Sequence, residues 1–101
     1  MIVFTDSVVV PAHVMVRYLD NESVFLNLDT ERYFGLDQIG TRMWTVITSF
    51  PNIEAAFQQL LSEFDVEPET LRSDLVDLLE KLLENNLLQV VRSDVGTTST
   101  I

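Results

Sequence analysis

A chain of 101 residues with 47% hydrophobic content can build one compact core and is too short for two. With no cysteine it can form neither a disulfide, nor a thiolate nucleophile, nor a zinc–thiolate site. A net charge of −10 and only six scattered Lys and Arg argue against nucleic acid and anionic membrane, both of which are gripped through phosphates by cations.

The first residues, Met1-Ile2-Val3-Phe4-Thr5-Asp6, carry no basic segment followed by a long apolar run. No later stretch approaches the ~18 consecutive apolar residues of a membrane span, so a cytoplasmic location is expected. Val8-Val9-Val10 ahead of Pro11 predicts a short edge strand, limited by the proline. From residue 14 the pattern takes the two-residue period of strands: Val14, Val16 and Tyr18 alternate with Met15, Arg17 and Leu19, then Val24, Leu26 and Leu28 with Phe25 and Asn27. Turn residues separate these runs at Asp20-Asn21-Glu22-Ser23. A second turn at Asp29-Thr30-Glu31-Arg32 leads into the short aromatic run Tyr33-Phe34-Gly35-Leu36. Three strands joined so tightly read as an antiparallel meander. The outer side of its third strand has no neighbour in sequence, which leaves backbone N–H and C=O groups for another chain to meet.

After residue 36 the period becomes helical. Ile39, Met43, Val46, Ile47 and Phe50 mark a first helix, capped by Asp37 and stopped by Pro51. Asn52 caps a second, with the stripe Ile53, Ala56, Phe57, Leu60, Leu61 and Phe64. A third begins at Glu67-Pro68, carries Leu71, Leu75, Leu78, Leu79, Leu82 and Leu83, and ends near Asn85-Asn86. Leu87-Leu88-Gln89-Val90-Val91 then packs down or pairs as a last strand. Strands followed by helices give an α+β domain over residues 1–92, with 93–101 a flexible C-terminal tail.

No catalytic constellation stands out. His13 is the lone histidine, without a His-x-x-x-His or Glu-x-x-His partner for a metal, and reads as a surface or turn residue. No Ser or Thr sits in a nucleophile elbow, and no glycine-rich loop precedes a helix. Glu67 and Glu69 are two apart and do not face each other on a helix. Trp44 reads as a core anchor. No enzyme, cofactor or metal is therefore expected.

The run at residues 24–29, the aromatic pair Tyr33-Phe34, then Gly35-Leu36-Asp37, the pair Met43-Trp44 and the terminal Asn86-Leu87-Leu88 together resemble the PqqD-like recognition elements of ribosomally made, modified peptides. The layout is similar to the stand-alone members found beside lasso-peptide enzymes, and the resemblance spans roughly residues 8–91. It implies three antiparallel strands followed by three helices, similar to a winged helix-turn-helix. It also implies a binding role: the leader of a precursor peptide adds as a strand beside the third strand and lies against the third helix. A separate leader peptidase or maturation enzyme would then act on it. Residues carried over by the resemblance are Glu31, Arg32, Tyr33, Phe34 and Gly35 on the strand, and Leu71, Arg72, Asp74, Leu75, Leu78 and Leu79 on the helix. The acids Glu67, Glu69, Asp74, Asp77, Glu80 and Glu84 either steer a basic segment or solvate the helix's outer face.

Two other classes stay open. A winged-helix DNA reader shares the helix order, but its recognition helix should be basic, and here six acids face only Arg72 and Lys81. A homo-oligomerising scaffold could pair the same open edge with a second copy, so the chain is expected as a monomer or weak homodimer.

Overall fold

The computed structural model describes residues 2–92. The tail expected at 93–101 lies outside the described residues. Eight elements follow in order: β1 (Ser7–Val9), β2 (Val14–Leu19), β3 (Glu22–Asn27), β4 (Arg32–Leu36), α1 (Gln38–Ser49), α2 (Ile53–Glu63), α3 (Pro68–Glu84) and β5 (Gln89–Val91). The architecture is α+β, as the order of periods predicts.

Strands β2, β3 and β4 form an antiparallel sheet in that order, with Val16 opposite Phe25 and Phe25 opposite Phe34. Alternation gives the sheet two unlike faces. Val14, Phe25 and Leu36 turn inward and are buried, whereas Met15, Leu19 and Tyr33 point outward and are exposed. The valines near the N-terminus do not extend this sheet. Strand β1 pairs instead with β5 in a separate two-stranded ribbon, Val8 opposite Val90. Backbone bonds from Ile53 to the Asp6 carbonyl (2.9 Å) and from Glu54 to the Phe4 carbonyl (2.7 Å) then fasten the N-terminal segment over the start of α2.

The helices begin where capping chemistry puts them. The Asp37 carboxylate accepts the Gly40 N–H at 2.8 Å, and the Asn52 side chain accepts the Ala55 N–H at 2.8 Å, each satisfying an amide that the first turn leaves unpaired. Glu67 makes no side-chain cap bond, and Pro68 opens α3 with its backbone angle already suited to a helix.

The core lies between the inner sheet face and the helices. Trp44 is 1% exposed and meets Phe25 edge to face, with ring centres 4.9 Å apart. Ile53, Leu60, Leu75, Leu79 and Leu82 are wholly buried around them. Ile39, which shares the helical spacing of α1's apolar set, is exposed. One buried polar contact crosses the layers: the Thr41 hydroxyl donates to the Leu36 carbonyl (3.3 Å), and the Ser23 hydroxyl lies 2.8 Å from the Thr41 hydroxyl, linking β3, β4 and α1. Among the described residues no helix is long and apolar enough to cross a membrane, and no cluster of His, Asp and Glu could hold a metal ion.

Candidate functional site

Strand β4 pairs with β3 along one side only. In an antiparallel strand every second residue turns its N–H and C=O to the same side, so the free side of Arg32–Leu36 presents unsatisfied backbone donors and acceptors. These groups face α3 across an open groove. At one end it encloses about 460 Å³ between Phe34, Gly35 and Asp37 on one wall and Asp74, Asp77, Leu78 and Lys81 on the other. A smaller hollow of about 220 Å³ continues past Phe34, between Arg32 and Tyr33 and the end of α3 at Glu84 and Asn85. Phe34 belongs to both, so the groove runs the length of the strand.

At its narrower end, hydrogen bonds tie the two walls together. The Asn27 side chain, 2% exposed as a residue, accepts the N–H groups of Asp29 (2.9 Å) and Thr30 (3.2 Å) and donates to the Asn85 carbonyl (3.4 Å). It shapes the turn that launches β4 and ties that turn to the last residue of the opposite wall. His13 adds a second tie, with Nε2 3.0 Å from the Asn86 carbonyl, so this histidine braces the end of α3. Glu31 occupies the left-handed region at φ 61°, and its N–H reaches the Asn27 carbonyl at 2.7 Å, which turns the chain into β4.

Helix geometry decides which α3 residues can reach the groove. At roughly 100° per residue, Asp74, Asp77, Leu78 and Lys81 fall within one arc, and Leu71, Leu75, Leu79 and Leu82 within the next. The structure follows this division: Leu71, Leu75 and Leu79 are at most 1% exposed and pack into the core, so they support the groove wall from behind and offer it no surface. Arg72 is displaced further, to the far side of the helix. Its guanidinium lies over the Phe4 and Phe57 rings, 4.3 and 4.5 Å from their centres, and 3.9 Å from Glu54. Of the six helix residues carried over from the resemblance, Asp74 and half-buried Leu78 therefore line the groove. Asp77 and Lys81 join them and were absent from that set, although their spacing from Asp74 and Leu78, three residues in each case, carries the signal. On the strand side, Arg32, Phe34 and Gly35 border the groove, Tyr33 stands at its lip with its ring on the outer face, and Glu31 holds the turn.

Chemically the groove joins a backbone edge to a mixed wall. Phe34 and Leu78 supply its apolar floor, while Asp37, Asp74 and Asp77 set three carboxylates against the single ammonium of Lys81 at the wider end. Such a site fits an extended peptide better than a compact small molecule.

The chain is similar to known proteins over most of its length. Residues 22–88 match the family described as coenzyme PQQ synthesis protein D, PqqD. A solved structure of TbiB1 in complex with the TbiA(beta) leader peptide is 32% identical, with a TM-score of 0.73 over 79% of this chain and 93% of that one. A second, a lasso peptide synthetase B1 complexed with the leader peptide, is 20% identical and shares the fold, with a TM-score of 0.74 over 82% of this chain and 98% of that one. No curated protein sequence matches. The match extends from β3 through all three helices and includes both walls of the groove, and on that evidence the chain belongs to the PqqD family.

Proposed function

We propose that this protein binds the leader segment of a ribosomally made precursor peptide, by strand addition to β4, and presents it to a separate leader peptidase or other maturation enzyme in lasso-peptide biosynthesis. The observation that carries this reading is the unpaired edge of β4 facing α3 across a groove as long as the strand. Family membership supports it, as does the 32% identical TbiB1, whose structure holds a leader peptide. Main-chain bonds along Arg32–Leu36 would supply affinity for any extended segment, and the contacts at Phe34, Leu78 and the acidic end would select among them. The protein itself performs no bond chemistry in this reading and acts in the cytoplasm on a peptide that other proteins modify.

The test is a fluorescence-anisotropy titration with labelled TbiA(beta) leader peptide. The parent should bind saturably. Leu78→Ala removes apolar surface from the groove wall and should weaken binding about tenfold, corresponding to about 1.5 kcal/mol. Arg72→Ala, on the far side of the helix, should bind as the parent does. No saturable binding by the parent, or undiminished binding by a folded Leu78→Ala variant, would overturn the assignment.

A further inference from the structure

Gly35 has no structural reason to be glycine. Its φ lies outside the left-handed region, and a Cβ built there would find a single atom within 4 Å, the Ser23 carbonyl oxygen at 4.0 Å. Gly40 is the contrast: a Cβ there would press on Asp37 Oδ1 at 3.3 Å and on the Leu36 side chain at 3.4 Å, so packing accounts for it. Glycine inside a strand weakens it, and where neither backbone angle nor internal packing calls for one, a close approach by another chain is the remaining physical cause. Gly35 sits on the edge strand β4, between inward-facing Phe34 and Leu36, so its missing side chain leaves a notch on the outer face of the sheet.

That face is apolar and uncovered at the same edge. Met15, Leu26 and Tyr33 stand opposite one another in one row across the three strands, and Arg17, Val24 and Gly35 in the next. Tyr33 is 73% exposed and Met15 41%. Met15, Arg17, Leu19, Val24, Leu26 and Tyr33 bound a hollow of about 430 Å³ on the side of the sheet away from the helices, and Gly35 adjoins it beside Val24 and Tyr33. A strand added to β4 points its side chains alternately to the two faces. Residues opposite Phe34 and Leu36 enter the α3 groove, and residues opposite Tyr33 and Gly35 emerge on the outer face. The residue opposite Gly35 finds no side chain there, only the notch, flanked by the Tyr33 ring and half-buried Val24.

We infer that Gly35 is a specificity notch: the bound peptide is read on both faces of the sheet, and its residue opposite Gly35 carries a large apolar side chain that fills the notch against Tyr33 and Val24. This rests on strand addition to β4 and adds the outer face to the α3 groove as a second selective surface.

The test is peptide display: a library of random extended peptides is selected in parallel on the parent and on Gly35→Val, with Gly35→Ala as a smaller step. Because the position has room and ordinary backbone angles, both variants should fold and melt no lower than the parent. The parent should enrich peptides with a large apolar residue at one fixed register. Gly35→Val should shift that single position to Gly, Ala or Ser and lower affinity for parent-selected peptides at least tenfold, with Gly35→Ala between. Replacing the large residue by Ala in such a peptide should cost the parent at least tenfold and Gly35→Val less than threefold. Equal enrichment on parent and folded variants, with the parent still selecting extended peptides, would overturn the notch and leave strand addition standing. Failure of the parent to enrich any peptide would overturn both.

Discussion

Asn27 sits at an inward position of β3, two residues from Phe25, where the alternation calls for an apolar side chain. Its amide is satisfied by three partners, two in the turn before β4 and one at the end of α3, so a polar residue is tolerated there because it organises both walls of the groove. Removing it leaves the two turn N–H groups and the Asn85 carbonyl without this partner. Asn27→Ala is expected to destabilise the fold by about 1–3 kcal/mol, read as a lower urea midpoint at unchanged slope. A variant with the parent's midpoint would mean that these bonds exchange with water at no cost. The sequence showed the polar residue but not its purpose. Asn85 lies 58 positions away, and no local pattern marks such a pairing.

Among the elements, what was readable and what was not divides along the range of the interactions. The caps at Asp37 and Asn52 and the proline start of α3 are local chemistry and stand where the residues placed them, and the period-two runs are strands whose ends shift: Glu22, Ser23 and Arg32, read as turn residues, pair within β3 and β4, and Leu28 falls in the turn. The β1–β5 ribbon joins two three-residue strands from opposite ends of the described chain, so Val8-Val9-Val10 read only as a strand without a partner. On α3 the run of leucines is wide enough to serve core and groove together. Their division depends on where α1 and α2 pack, and Arg72 is drawn away by Phe4 and Phe57, which only the tertiary fold brings beside it. Between α1 and α2 the clamp is ionic: Arg42 reaches both Glu63 oxygens at 2.7 and 2.6 Å, and Gln59 donates to the same carboxylate. The Arg42 hydrogen bonds, then that from Gln59, lower the Glu63 carboxyl from its usual 4.5 to about 2. A carboxyl depressed in the folded state contributes stability above its unfolded value and loses it as pH falls from 4.5 towards about 2. Denaturant melts of parent and Glu63→Gln should therefore differ most at neutral pH, by the small amount a solvent-screened pair allows, and converge near pH 2. A gap that persists in acid would assign the difference to shape instead of charge.

For the whole molecule, charge narrows the range of partners further than shape does. Three helices on a small sheet could serve a nucleic-acid reader, but a net charge of −10 opposes any phosphate-rich surface. The groove's wider end repeats this bias locally, with Asp37, Asp74 and Asp77 against Lys81. An occupant held by backbone bonds along β4 and by apolar contacts at Phe34, Leu78 and the outer sheet face releases few condensed ions on binding. Salt screens the remaining charge–charge contacts over a distance of about 8–10 Å at ordinary ionic strength, so those contacts adjust affinity without creating it. Leader affinity measured from 50 to 300 mM salt should accordingly change by less than about fivefold, whereas a protein neutralising six or more phosphates loses roughly a thousandfold or more over a similar span. Duplex DNA should show no saturable binding at the low-salt end, where attraction to phosphate would be greatest. A steep fall of leader affinity with salt would move the binding energy from the β4 edge and its apolar pockets to the acidic end of the groove. The groove would then select its peptide chiefly through a basic residue facing Asp37, Asp74 and Asp77, and Asp77→Asn would weaken binding more than Leu78→Ala.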